Sequence, residues 1–137
     1  MTAAAQDRLI TRLVNKIRAN VDDIVMLREY LTDDADVIVC AYGITARIAR
    51  FAVDLARAEG IRAGLLQFVT LWPFAEKRVR ELASHTKGFV VPEINLGQIV
   101  YEVERCAAGQ APAILVPHAG GDVHEPNSIL AAIRRLK

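Results

Sequence analysis

Four short apolar runs, Val37 to Tyr42, Ala63 to Phe68, Gly88 to Val91 and Ala113 to Val116, recur along the chain with a stretch of helical spacing between each pair. The runs lack the polar alternation of a strand with one wet face, so the strands they form are buried on both faces. Such strands, joined by helices, make a parallel sheet with helices packed on its two sides. The helices are predicted at roughly Thr45 to Glu59, Phe74 to His85 and Gly97 to Ala108, with a last one from Pro126 to Leu136. Gly60 suits a left-handed helix end, and Pro73 and Pro126 suit a first helical turn, where an amide proton is not needed. With the runs numbered along the chain, right-handed crossovers favour the order 2-1-3-4. The expected fold class is therefore α/β, an open, mainly parallel sheet of four or five strands with helices on both faces.

Ahead of the first run, Ile10, Leu13, Val14, Ile17, Val21, Ile24 and Val25 recur at three- and four-residue steps, predicting an amphipathic helix from Asp7 to Tyr30. Left bare, its stripe would be a sizeable exposed patch, so it is expected to pack on the domain or on a copy of itself. Leu31 to Asp36 is polar and turn-like, which divides the chain into a leading helix and linker, 1–34, and an α/β domain, 35–137. Although 53% of the residues are hydrophobic, no apolar run approaches the ~18 residues that span a bilayer, so no membrane segment is expected. Seventeen basic and sixteen acidic residues nearly cancel and are dispersed, which argues against nucleic acid as a partner. Cys40 and Cys106 lack the paired spacing of a zinc or iron–sulfur site and read as reduced packing residues of a cytoplasmic protein. Met1 to Ala5 has no basic-then-apolar order and is compatible with the start of an excised fragment.

In the order 2-1-3-4 the first and third strands are neighbours whose connections leave in opposite directions, and ligands or partners of open α/β sheets meet the strand ends there. Two loops define the place, Tyr42-Gly43-Ile44-Thr45 and Glu93-Ile94-Asn95-Leu96-Gly97-Gln98. In the first, Gly43 turns the chain and Thr45 is placed to satisfy free amides at the helix start, a position where an anion can sit. A dinucleotide fingerprint needs two further glycines that this stretch lacks. In the second, Glu93 ends a strand, Asn95 is placed to cap the next helix, Gly97 allows a close turn, and Gln98 lies in the first helical turn. A carboxylate near free helix amides is favourable, and hydrogen bonding makes its burial tolerable. Either these side chains stitch the loop to its neighbour around Gly43, or they face a ligand or a second chain.

The loop Leu71 to Arg78 brings Trp72, Pro73 and Phe74 to the end of the second strand, as caps on the core or as partner-facing anchors. A trans Trp72–Pro73 bond is the default. Asp122, His124 and Glu125 lie in a loop too short to aim all three at one ion and read as a connector. No serine or cysteine nucleophile stands beside a base in any recognisable pattern, so the residues by themselves offer no catalytic, cofactor-binding or metal-binding set.

The stretches "VPEINLGQIVYEVER", "LWPFAEKRVRELA", "VIVCAYGITAR" and "GGDVHEPNSILAAI", taken in order, resemble the carboxyl-terminal part of the alpha subunit of 2-oxoacid:ferredoxin oxidoreductases, in particular the 2-oxoglutarate type. The resemblance runs from about Leu9 to Leu136, with Ile94 where methionine is usual and Ala75 where a second proline is common. It implies a transketolase-like domain of an enzyme that decarboxylates a 2-oxo acid with thiamine diphosphate, passes electrons through iron–sulfur chemistry to ferredoxin and forms an acyl-coenzyme A. The resemblance further implies that other domains and a beta subunit hold these cofactors, and that this portion is structural, inactive alone, and engaged with the remaining alpha-subunit domains, the beta subunit or a copy of itself. In agreement, the chain has no Gly-Asp-Gly motif with a following asparagine and no cysteine quartet. Tyr42, Gly43, Thr45, Trp72, Phe74, Glu93, Asn95, Gly97 and Gln98 are the candidates for the interface. Two alternatives stay open: the equivalent domain of another thiamine diphosphate enzyme, of transketolase or pyruvate dehydrogenase type, and a free-standing module binding a small anion.

Overall fold

The computed structural model describes residues 2–137; Met1, and with it the question of the native start, lies outside them. The elements follow as α1 (Ala3–Arg18), α2 (Val21–Ile24), β1 (Leu27–Tyr30), β2 (Val37–Tyr42), α3 (Thr45–Ala58), β3 (Ala63–Phe68), α4 (Glu76–Ala83), β4 (Gly88–Glu93), α5 (Ile99–Ala107), β5 (Ala113–Pro117) and α6 (Pro126–Arg134). They build one five-stranded sheet in the order β1-β3-β2-β4-β5. The four strands expected from the apolar runs are parallel and take the expected order, with Val37 opposite Ala63 on one side and Gly88 on the other.

Because side chains alternate along a strand, β2 feeds two cores. Val37, Val39 and Ala41 face α3 and α6, whereas Ile38 and Cys40, with Phe89 and Val91 of β4, face α4 and α5. On α3 the inward stripe is Ala46, Ala49, Ala52, Val53 and Ala56, small enough to lay the helix close on the sheet. Gly60 (φ +77°) ends it, with the amide of Ile61 donating to the carbonyl of Ala56, a left-handed helix end as expected.

The leading segment departs from expectation. Helix α1 stops at Arg18, a short α2 follows, and Leu27–Tyr30 is a strand, antiparallel to β3 with Leu27 opposite Phe68. The three- and four-residue spacing does not continue as helix because the outer edge of β3 offers Leu27–Tyr30 a ladder of backbone partners, and an unpaired edge is costly. Thr70 fastens the bend: its hydroxyl donates to the carbonyl of Ile24 and accepts from the amide of Met26. The expected division at 34/35 therefore passes between β1 and the rest of its sheet. Nor does α1 pack on the domain: none of its residues is buried, and Leu9, Ile10, Leu13 and Val14 stay exposed. Helix α4 begins at Glu76, after a cis Trp72–Pro73 bond, so Pro73 lies outside the first turn, unlike Pro126, which opens α6.

Candidate functional site

Strands β2 and β4 pair only through Val37, Ile38 and Val39, opposite Gly88, Phe89 and Val90. Beyond that register they part, and their carboxyl ends open the crevice expected of a switch point. Glu93 stands in it with 0% exposure. The last residue of a both-sides-buried strand points its side chain inward, and here it meets the amino end of α5, whose first amides have no carbonyl partners. Glu93 Oε1 accepts from the amides of Gln98 (3.1 Å) and Val100 (2.9 Å), and Oε2 from the amide of Ile99 (3.0 Å). Oε2 also accepts from Asn95 Nδ2 (3.1 Å) and the Tyr42 hydroxyl (3.2 Å).

Burial alone would raise the Glu93 pKa, but the amides of Ile99, Val100 and Gln98, with Asn95, outweigh it and hold the carboxyl below its ordinary range. In turn, burial and then the neighbouring Glu93 charge push the Tyr42 phenol up. Asn95 does not cap α5 as expected; its Oδ1 accepts from the amide of Gly97 (2.7 Å) and so folds the loop, while the strand-borne carboxylate takes the capping role. Gly97 is held at φ +112°, where a Cβ would stand 3.1 Å from a Leu115 methyl. Thr45 is the first residue of α3 and is buried; the cap position is Ile44, which makes no side-chain capping bond.

Tyr42, Glu93, Asn95, Gly97 and Gln98 thus form one hydrogen-bonded network, with Gly43 exposed at its rim (φ +54°). The Glu93 carboxylate faces inward, and its oxygens accept hydrogen bonds from groups within the domain. Its oxygens accept from the amides at the start of α5, from Asn95 and from Tyr42, so the carboxylate serves the helix start. The aromatic loop divides. Phe74 is 8% exposed and packs on Phe68 with ring centroids 4.9 Å apart, whereas Trp72 is 73% exposed. His124 is buried, its Nε2 lies 2.8 Å from the carbonyl of Val116, and Asp122 and Glu125 point to solvent. Among the described residues no three His, Cys, Asp or Glu side chains are grouped to hold a metal ion.

Residue patterning missed an open cleft of about 1350 Å³ between α1 and the Leu71–Phe74 loop. Its lining is scattered over residues 13 to 105, and only the bare apolar stripe of α1 foreshadowed it.

Residues 35–129 match the family described as pyruvate:ferredoxin oxidoreductase core domain II. The chain is 44% identical over 131 residues to 2-oxoglutarate synthase subunit KorA of Methanothermobacter marburgensis, covering 96% of this chain and 35% of that one. It is also 44% identical over 112 residues to ketoisovalerate oxidoreductase subunit VorB of Methanothermobacter thermautotrophicus, covering 82% of this chain and 32% of that one. The chain thus spans about a third of the length of the curated relatives it matches. In fold it is similar to a 2-oxoglutarate:ferredoxin oxidoreductase from Magnetococcus marinus, with a TM-score of 0.82 at 21% identity over 98% of this chain and 23% of that one. A split-gene transketolase shares the fold with a TM-score of 0.68 at 23% identity, over 80% of this chain and 41% of that one. By sequence and fold together, the chain belongs to the pyruvate:ferredoxin oxidoreductase core domain II family.

Proposed function

We propose that this chain is the core-domain-II portion of the alpha subunit of a cytoplasmic 2-oxoacid:ferredoxin oxidoreductase, with 2-oxoglutarate as its 2-oxo acid and an acyl-coenzyme A as product, and that its own part is structural. The observation that carries this reading is 44% identity sustained over 96% of the chain to a subunit named for 2-oxoglutarate synthase. The thiamine diphosphate and iron–sulfur groups of such an enzyme belong to the other alpha-subunit domains and a beta subunit, because the residues of this chain do not fit them. A cluster takes cysteine thiolates. Here both cysteines are buried in the apolar core, and burial pushes both thiols up, away from the thiolate. No Gly-Asp-Gly stretch is present for a diphosphate, and the buried carboxylate at the switch point is fully occupied.

What this chain supplies is a rigid platform whose exposed rim, Gly43, Trp72 and Gln98, meets the partner domains, with Thr45, Phe74, Glu93 and Asn95 holding that rim from beneath. The match to a ketoisovalerate oxidoreductase subunit supports a branched 2-oxo acid as the second reading, over a smaller share of the chain. Purifying the native complex through a tag on this chain and assaying ferredoxin reduction with coenzyme A and either acid tests both. Copurification of a beta subunit and preference for 2-oxoglutarate are expected. By calorimetry the isolated chain is expected to show no stoichiometric micromolar binding of thiamine diphosphate; such binding would place cofactor chemistry in this chain and overturn its structural role.

A further inference from the structure

Strand β5 ends at Pro117, and the chain returns to α6 through a loop in which Gly120 (φ +118°) and Gly121 (φ +91°) hold backbone that only glycine adopts freely. The amide of His118 donates to the carbonyl of Glu93, which fixes the first residue of the loop to β4. The turn then brings His124 back beside His118, with ring centroids 5.3 Å apart and planes inclined by 50°.

His124 is 4% exposed. Its Nε2 lies 2.8 Å from the carbonyl oxygen of Val116, which can only accept, so Nε2 carries a proton. In the neutral ring the other nitrogen, Nδ1, presents a lone pair. Among the described residues this Nδ1 is the one buried side-chain nitrogen or oxygen without a hydrogen-bond partner. Burial without a partner is costly, and a bound water or ion is what ordinarily completes such an atom. The neighbouring group here is a second imidazole, and imidazole is the commonest protein ligand of metal ions.

Two further features of the pair suit a metal ion. A ligating histidine ordinarily donates its other ring N–H to a backbone carbonyl or a carboxylate, which aims the lone pair, and His124 does this toward Val116. Two imidazoles bound at ~2.0 to 2.1 Å with a tetrahedral angle between them place their ring centres about 5.2 Å apart, against the 5.3 Å observed. Residues 118–125 also include two exposed carboxylates, Asp122 and Glu125, and no lysine or arginine. We propose that His118 and His124 together hold one divalent cation of the imidazole-preferring class, zinc, nickel or copper, through Nδ1 of His124 and a ring nitrogen of His118, with water completing its shell. Nitrogen donors disfavour magnesium and calcium, which take oxygen. The inference does not depend on which protein meets the rim of Gly43, Trp72 and Gln98.

The chain has three histidines, and the exposed His85 serves as the control. Zinc chloride is titrated by calorimetry, in a non-coordinating buffer, into the 137-residue chain after metal has been stripped and the chelator removed. One equivalent is expected to bind saturably, and magnesium chloride is expected not to bind. His118 is half-buried in the loop, and His118→Ala is expected to weaken zinc binding by at least about tenfold, while His85→Ala leaves it unchanged. Because His124→Ala would remove a buried ring on which the fold depends, the part of His124 is read in the parent chain by 15N NMR. Zinc is expected to move the Nδ1 resonance of His124 while Nε2 keeps its proton. No saturable zinc binding, unchanged affinity in His118→Ala, an equal loss in His85→Ala, or magnesium binding as tight as zinc would overturn the proposal. So would zinc binding that leaves Nδ1 of His124 unmoved, because a water would then complete that atom and the ion would sit elsewhere.

Discussion

Removing the Glu93 carboxylate would strand the amides of Gln98, Ile99 and Val100 at the start of α5. At about 1 kcal/mol or more for each buried donor left unsatisfied, Glu93→Ala is expected to lower stability by ~3 kcal/mol in urea melts. Glu93→Gln keeps one acceptor oxygen and the shape, and should recover roughly half of that. The same pair reads the charge. The folded pKa of Glu93 lies below its unfolded value, so its stabilisation is fully present above the unfolded pKa of ~4.3 and is lost as pH falls through the folded value. The stability gap between the parent and Glu93→Gln is therefore expected to be largest near neutrality and to shrink in melts below about pH 4.

The elements ahead of β2 differ in how firmly they are held. Strand β1 is tied by its ladder to β3, by the Arg78 guanidinium donating to both Glu29 oxygens, and by Arg50 lying 4.2 Å over the Tyr30 ring. The turn after it crosses β3 at Gly64, where a Cβ would stand 2.5 Å from the Leu31 carbonyl oxygen. Backbone cannot yield as a flexible side chain does, so Gly64→Ala is expected to cost about 2 to 3 kcal/mol. Hydrogen exchange should quicken more in β1 than in β2, and uniform quickening would argue against this crossing as the point of strain. Helix α1 has a Thr2 cap and no buried side chain, and an isolated helix of its 16 residues is marginal. Its amides are expected to exchange far faster than those of β2 in the free chain.

At the scale of the molecule, the two cores are the two faces of one sheet. The α3 face and the α5 face share β2 and β4, and neither can lose its packing while the strands between them stay folded. Val53→Ala on one face and Val103→Ala on the other are each expected to lower stability by about 2 kcal/mol. With both changes the urea transition should stay single and the losses should add to within about 0.5 kcal/mol, since the two sites share no partners. Two separate transitions by far-UV circular dichroism would mean that the faces fold as independent units.

Much of this architecture was legible in residue order. Strands buried on both faces must be continuous apolar runs, so Val37–Tyr42 and Ala63–Phe68 were readable to the residue, and the crossover rule then set the order of all four. The family, too, was carried by local stretches of sequence. What residue order left open were choices made by distant partners. The spacing from Val21 to Tyr30 suits a helix until the free edge of β3 is present to pair with it. Glu93 reads equally as an interface group or a stitch until the divergence of β2 from β4 sets it against the amides of α5. Trp72 and Phe74 are separated by one residue, yet one lies in solvent and the other in the core, because the path of the loop and not its composition determines which ring Phe68 can reach. Local chemistry determines which structures a segment can take, and long-range contacts, made only on folding, select among them.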